Sequence, residues 1–237
     1  MKAALPLCLF AVTGCATFRS MGTARTVERG ELQVFAAANR SRTVIASPSG
    51  TGAANTTPTF AQLEAGFRYG VTDGIEVGGS VWVLGAGAQG KLQLVRSPSP
   101  DTGVDVALAW ATGLGGGSFP GGIDGDGVIT WVSTRIISAE AAVPVGFNVG
   151  GGSQLVVTTR LVHHWYAVKV DGAASTTSNV LFAGGSLAFA WKVAESVTVL
   201  PEVMVLDPVS GPARGIDRVR YDGVVVQGGV GILFTPW

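Results

Sequence analysis

The stretch FAQLEAGFRYGVTDGIEVGGSVWV, residues 60–83, alternates apolar with small or polar residues on both sides of a turn. Side chains that alternate with a period of two lie on opposite faces of a β-strand. Asp73-Gly74, between the two halves, is a dipeptide that favours a tight hairpin turn. The apolar parity comprises Ala61, Leu63, Ala65, Phe67, Tyr69, Ile75, Val77, Gly79, Val81 and Val83. The stretch therefore predicts an antiparallel hairpin with one apolar face.

Similar segments of about ten residues follow one another to the end of the chain, and their charged residues stay on the face opposite the bulky aliphatic ones. The face with the charges is otherwise glycine, alanine and serine, which is too little charge for a surface in water, where roughly 25–35% of residues are charged. We therefore expect the aliphatic face to meet lipid and the other face to line a narrow lumen. The predicted lumen-facing residues are Glu64, Arg68, Glu76, Lys91, Asp105, Glu140, Arg160, Lys192 and Glu202. These five acids and four bases would pair across the lumen or line a narrow polar conduit.

Composition supports a membrane protein built from strands. Charged residues make up 14% of the chain, net charge is zero, and 35 of 237 residues are glycine. The mean hydropathy is +0.40, yet no run of about 18 apolar residues, the length of a transmembrane helix, occurs after the apolar stretch at the amino end. Only helices and closed barrels satisfy every backbone hydrogen bond in lipid. The neutral charge gives no electrostatic reason to expect a nucleic acid partner.

The spacing of the alternating segments predicts an all-β fold, a transmembrane antiparallel up-and-down barrel of about ten strands over residues 31–237. The first strand is expected at Glu31–Asn39. Long loops are expected at residues 40–58, 113–127, 167–178 and 207–218, and short turns between them. Eight or twelve strands remain possible, because residues 127–136 could extend one strand or form another.

The amino end, MKAALPLCLFAVTGCATF, reads as an export signal. Lys2 precedes the apolar stretch Ala3–Val12, which has the length of a signal-peptide core and is too short to span a bilayer. Val12-Thr13-Gly14-Cys15 resembles a bacterial lipobox. That resemblance implies removal of residues 1–14, lipidation of Cys15 with fatty acids such as palmitate, and residues 15–30 as a tether. An ordinary signal peptide with an incidental cysteine is the alternative.

The alternating strands and the final stretch GVVVQGGVGILFTPW resemble bacterial outer-membrane β-barrel proteins over residues 31–237. In that family a last strand ending in an aromatic residue is read by the barrel insertion machinery. Phe234 has the matching parity here, although Thr235-Pro236-Trp237 follow it. The resemblance implies a bacterial outer-membrane location, a periplasmic N-terminus, and lipid and the insertion machinery as partners. With Ala16 rather than aspartate after the cysteine, it also implies transport of the lipoprotein to the outer membrane.

Few residues suggest chemistry, and we expect no catalytic residue, metal or cofactor. GIDGDG, residues 122–127, lacks the further oxygen ligands of a calcium loop. His163 and His164 would point to opposite faces of a strand, so they cannot bind one metal side by side. His164 could pair with Asp207 or Asp217 at the rim, as in a barrel hydrolase. The glycine-rich stretches follow strands but open no helix, which excludes a phosphate-binding loop.

The sequence thus favours a lipid-anchored barrel with a structural or interaction role and, at most, a narrow polar lumen. Three alternatives stay open: a small-solute channel, a lipid-tethered soluble barrel that binds an apolar ligand inside, and an outer-membrane hydrolase with its site at the rim. The oligomeric state is not fixed by the sequence.

Overall fold

The computed structural model describes residues 22–44, 60–123, 129–170, 175–210 and 224–235. Among them, no helix is long and apolar enough to cross a membrane. Residues 1–21, which include Cys15 and the predicted signal, lie outside the described ranges.

Ten strands form one closed antiparallel barrel, in which each strand pairs with its neighbours in sequence and the first pairs with the last. The strands are β1 (Leu32–Val44), β2 (Phe60–Thr72), β3 (Ile75–Trp82), β4 (Gly85–Val95), β5 (Gly103–Ile123), β6 (Ile129–Asn148), β7 (Gln154–Val170), β8 (Thr176–Ala194), β9 (Val197–Ser210) and β10 (Val224–Phe234). The barrel closes where β1 runs beside β10, with Val34 opposite Phe234 and Ala38 opposite Val230. The predicted fold class and strand number are confirmed.

The two ends of the barrel differ. One end, here called the base, holds Leu32 and Phe234 and the short connections at residues 73–74, 96–102, 149–153 and 195–196. Gly74, in the first of these turns, has φ +101°, which a residue with a side chain adopts with strain. The opposite end, here called the top, carries the connections that the sequence predicts to be long.

The predicted long loop at residues 113–127 is wrong over most of its length, because β5 continues to Ile123. Glycine disfavours strands intrinsically, but here the ladder to β6 runs on until Ile123 faces Ile129 and holds the segment extended. Residues 129–136 belong to that same β6, which settles the count at ten. The predicted loops at 40–58, 167–178 and 207–218 are also shorter than expected, because β1 runs to Val44, β7 to Val170 and β9 to Ser210.

The wall is uneven in height. β3 has 8 residues and ends at a two-residue turn, Val83-Leu84, whereas β5 has 21. Gly85, the first residue of β4, pairs with Gly115. Above Gly116, therefore, β5 is paired with β6 on one side only, and the wall has a notch between β2 and β5.

The outer and inner faces of the barrel carry the side chains that the alternation predicts. Leu108 and Leu187, on the outer face, are 41% and 54% exposed, while Glu64 and Lys91 on the inner face are 3% and 2% exposed. Large apolar side chains are exposed on the outer face of every strand. The inner face is not uniformly polar, however. Its upper part, between β7 and β10, carries an apolar cluster formed by Val162, Val180, Phe182, Met204, Leu206 and Val225, against which Tyr166 packs.

Candidate functional site

The N-terminal segment, residues 22–30, enters the mouth of the barrel at its base, where residues 22–27 are buried or half-buried and residues 28–30 are exposed. Ala24, Thr26 and Val27 are 0%, 3% and 7% exposed. Residues 15–30 are predicted to be a tether, so the packing of residues 22–27 inside the barrel departs from that expectation. We call residues 22–30 the sealing segment, because they occupy the opening that the ten strands leave at the base.

Two glutamine side chains of the wall hold the backbone of the sealing segment. The N–H of Ala24 donates to Oε1 of Gln154 at 2.8 Å, and the N–H of Thr26 donates to Oε1 of Gln93 at 2.7 Å. Buried backbone N–H groups need an acceptor, and no strand ladder supplies one here. Inward-facing amides on β4 and β7, which are three strands apart in the barrel, therefore fix the height of the segment.

Glu76 is the third anchor and also the centre of a buried ion cluster. Its Oε2 accepts the N–H of Val27 at 2.8 Å. Its Oε1 lies 2.9 Å from Nζ of Lys91 and 3.9 Å from Nε of Arg68. One carboxylate thus joins β2, β3 and β4 to the sealing segment, and its charge is compensated by two cations.

Arg25 of the sealing segment forms an ion pair with Asp105, a fully buried acid of β5. Its Nε lies 3.3 Å from Oδ2 of Asp105, which is 0% exposed. Its Nη2 donates to the carbonyl oxygen of Ser97 at 2.8 Å. Asp105 also accepts hydrogen bonds from Nδ2 of Asn148 at 3.0 Å and Nε2 of Gln154 at 2.9 Å. Arg25 therefore completes a network that reaches from β5 to β7.

The segment then leaves the lumen along β2. The N–H of Gly30 donates to the carbonyl of Gly70 at 2.8 Å, and the N–H of Gly70 donates to the carbonyl of Glu31 at 3.1 Å. A Cβ at Gly70 would lie 1.9 Å from the carbonyl oxygen of Glu28, so only glycine lets the two backbones approach. Arg96, between β4 and β5, forms an ion pair with Glu28. A cavity of about 170 Å³ remains beside the segment.

A second buried ion cluster crosses the lumen above the sealing segment. Nη1 of Arg160 on β7 donates to Oε1 of Glu140 on β6 at 3.1 Å, and Nη2 pairs with Glu202 on β9. Nη2 also donates to Oγ of Ser186 at 3.1 Å. The three charged side chains are 0%, 5% and 12% exposed. One guanidinium thus binds carboxylates of two other strands, and the apolar cluster of β7 to β10 lies above it.

The structure brings six of the nine predicted lumen-facing residues into these two clusters and places Asp105 and Glu64 elsewhere on the inner face. Glu76, Arg68 and Lys91 form the first cluster, Arg160, Glu140 and Glu202 the second, and Asp105 binds Arg25. Glu64 is buried on the inner face of β2.

Lys192 differs from the rest of the predicted set. It has the inward parity, but its side chain is exposed at the base, beside Gly152. The reason is its position, since β8 ends only two residues later, at Ala194.

The predicted rim pair of His164 with Asp207 is not formed. His164 is 0% exposed and points inward, where Nδ1 lies 2.8 Å from the hydroxyl of Tyr166 and its ring packs against Phe182. Asp207 is exposed and has the outward parity on β9, next to the buried Leu206. Asp217, like residues 124–127 of the GIDGDG stretch, lies outside the described residues. Within the described part of the chain, no group of three His, Cys, Asp or Glu side chains could hold a metal ion.

Comparisons with known proteins give likenesses of fold only. No protein-family model matches the chain, and no curated protein sequence matches it. Among solved structures, Neisserial surface protein A is 10% identical, with coverage of 86% of this chain and 96% of that one and a TM-score of 0.42. The outer membrane protease OmpT of Escherichia coli is 9% identical, with coverage of 90% and 100% and a TM-score of 0.42. The translocator domain of the autotransporter NalP from Neisseria meningitidis is 10% identical, with coverage of 86% and 88% and a TM-score of 0.43. Likenesses this distant give no information about activity.

Proposed function

We propose that the protein is a bacterial outer-membrane lipoprotein, a β-barrel anchored through Cys15 with its base in the periplasm. Its role is structural or interactive, and its lumen is closed. The observation that carries the membrane placement is the outer face, where bulky apolar side chains are exposed on all ten strands. Soluble monomers rarely expose a continuous apolar patch larger than a few hundred Å². This location requires the barrel insertion machinery as a partner, and Phe234 at the end of β10 is the residue that it would read.

The height of this apolar belt fits a bilayer. On β6 the outward positions run from Phe147 to Ile137 without a charge, and the next outward residue is Arg135. Ten residues of a strand tilted by 35–45° rise about 25 Å, which is the usual height of the lipid-facing band. On β5 the uncharged outward positions from Val104 to Leu114 have the same span. Trp165 and Trp191 face outward toward the top and the base, where aromatic residues occupy the membrane interfaces.

The filled lumen supports a structural or interaction role. The sealing segment occupies the base, the Arg160 cluster crosses the middle, and the apolar cluster fills the side formed by β7 to β10. A barrel that binds an apolar ligand inside needs an apolar face around an internal cavity, whereas here the larger apolar face points outward. A channel needs a continuous polar path, which the sealing segment interrupts.

We expect a charge in the middle of the belt to destabilise the barrel in lipid. Leu187→Arg should lower the free energy of unfolding in lipid vesicles by about 2–4 kcal/mol, because an arginine at the bilayer midplane costs that much. Val209→Arg is the matched control, because Val209 is equally exposed, at 53%, but lies beyond the belt, near the top of β9. Its cost should be about 0–1 kcal/mol.

The measurement is a urea titration that follows the band of folded protein on an unheated gel. If both arginine variants unfold at the same urea concentration as the wild type, the outer face meets water and the membrane proposal fails.

Lipidation of Cys15 has its own test. Cells grown with radiolabelled palmitate should label the wild-type chain, and Cys15→Ser should abolish the label while the barrel still migrates as folded protein. Cys8→Ser is the control, because Cys8 lies in the part of the leader that is removed. A Cys15→Ser chain that retains the label would exclude this cysteine as the lipidated residue.

A further inference from the structure

The notch in the wall holds a depression of about 640 Å³, lined by outward-facing side chains of β5 and β6 and also by the inward Thr134 and Ile136. Leu84, at the turn before β4, is its lateral edge, and the N–H of Gly116 donates to the carbonyl of Leu84 at 2.9 Å. Above this hydrogen bond, toward the top of the barrel, no residue of β4 pairs with β5. Gly115–Gly117, which have no side chains, form part of its lining.

The lining changes character from bottom to top. Leu114 and Ile137, which are 64% and 52% exposed, face each other across β5 and β6 at the lower edge. Ser118 and Ser133 face each other at the upper edge, and Arg135 lies between the two pairs, opposite Gly116. The depression is therefore apolar toward the belt and polar toward the top.

The upper edge is positively charged. Arg135 is exposed, and it forms no ion pair with any residue in the described ranges. Lys169 on β7 faces Ser133, so it is a diagonal neighbour of Arg135, roughly 7–8 Å away between Cα atoms. Among the outward side chains of β5 to β8 that the structure describes, none is a carboxylate. Two cations thus face outward with no acid on the same strands to neutralise them.

The serine pair adds a hydrogen-bond donor. The two hydroxyl oxygens lie 2.8 Å apart, and either can donate to the other. A hydroxyl pair shares one proton in such a bond and keeps the second proton for another acceptor. That second proton is available to an oxygen anion held beside Arg135.

We propose that this depression binds a phosphorylated lipid of the outer leaflet. The phosphate binds Arg135 and Lys169 and accepts the serine proton, while an acyl chain packs against Leu114, Ile137 and Leu84. The position of Arg135 in the membrane is consistent with this proposal. On β6, Arg135 is the first charged outward residue above the apolar belt, at the level where lipid headgroups lie. The inference rests on the proposed membrane location.

The test is native mass spectrometry of the full mature chain folded in detergent, with diphosphoryl lipid A as the probe. Phosphatidylcholine, whose phosphate is balanced by a cation, and inorganic phosphate are the comparison ligands. We expect the wild type to retain lipid A in preference to both. Arg135→Gln and Lys169→Gln should each weaken retention about tenfold, because each removes a charge-assisted hydrogen bond to phosphate.

Arg40→Gln is the matched control, because Arg40 is also basic and exposed on the outer face, on β1, but lies away from this depression. The proposal is overturned if Arg40→Gln loses as much lipid A as Arg135→Gln, if no variant loses any, or if inorganic phosphate displaces the lipid. Failure of the membrane location itself would look different, because the wild type would then bind neither lipid, and Leu187→Arg would cost nothing in vesicles.

Discussion

Arg160→Met is expected to lower the free energy of unfolding by about 3–5 kcal/mol, the largest loss of stability that a single substitution should cause in this lumen. The guanidinium binds Glu140 on β6 and Glu202 on β9, and removing it leaves these two carboxylates without their shared cation. An unpaired buried charge costs much more than the pair itself contributes. Urea titration in lipid vesicles measures the loss.

Two further variants show whether the loss comes from charge. The triple variant Arg160→Met, Glu140→Gln and Glu202→Gln should recover most of the stability, because it leaves no unpaired charge. Arg160→Lys should lie between the wild type and Arg160→Met, because an ammonium carries the charge but cannot span two carboxylates with a planar fork. If the triple variant is as unstable as Arg160→Met, the packing of the arginine stem, and not its charge, holds the three strands together.

The parity of side chains made most of the barrel predictable. A strand has only two faces, so a single rule, aliphatic outward and charged inward, placed Glu64, Lys91, Leu108 and Leu187 correctly. The length of a strand is not contained in that rule. The glycine-rich end of β5 is held extended up to Ile123 by β6, which is its only partner strand above Gly116, and such pairing depends on residues outside the segment itself.

The apolar cluster inside the barrel was missed for a related reason. Strands β7 to β10 contain runs such as LVV, VLFA and VMVL, in which both parities are apolar. Such runs indicate a strand that is apolar on both faces. The positions of the charged residues alone therefore do not predict the inward apolar side chains of Phe182 and Met204, which are 0% and 2% exposed.

The sealing segment carries no periodic pattern, since its contacts are with side chains of the wall and not with a ladder. One signal was present. Asp105 is an inward acid whose register partner on β6 is Gly146, and the β4 ladder ends one residue short of it, with Val95 opposite Val106. A buried carboxylate needs compensation, so a cation is expected close to Asp105. Identifying it as Arg25 requires the register of β4 to β6, which the sequence alone does not supply.

Arg25→Glu is expected to expel the sealing segment from the barrel. The new carboxylate would face Asp105 and the carbonyl of Ser97, where the arginine now donates, and two like charges in a buried site repel strongly. Cleavage by proteinase K between residues 22 and 27 should become at least about tenfold faster than in the wild type, because exposed backbone is cut and buried backbone is not. Mass spectrometry of the fragments measures the rate and the position of the cuts.

The barrel itself should survive this change, because the ladder of ten strands does not include the segment. Gel mobility before and after heating checks that the remaining chain is folded. Arg29→Glu is the matched control, with the same change of charge four residues further on, at an exposed side chain. A variant Arg25→Glu that stays as resistant as the wild type would mean that Gln93, Gln154 and Glu76 suffice to hold the segment.

Conductance of the wild type and of Arg25→Glu distinguishes a closed barrel from a small-solute channel. Because the backbone of the segment is bound at three points and Arg25 is paired with Asp105, we expect the base to be closed to ions, so the wild type should give no discrete current steps in planar bilayers. If the wild type conducts in steps while residues 22–27 remain protected from protease, ions pass beside the segment and the lumen is not closed. Steps that appear only in Arg25→Glu would identify the segment as the barrier to ions, because the control Arg29→Glu keeps the segment in the mouth.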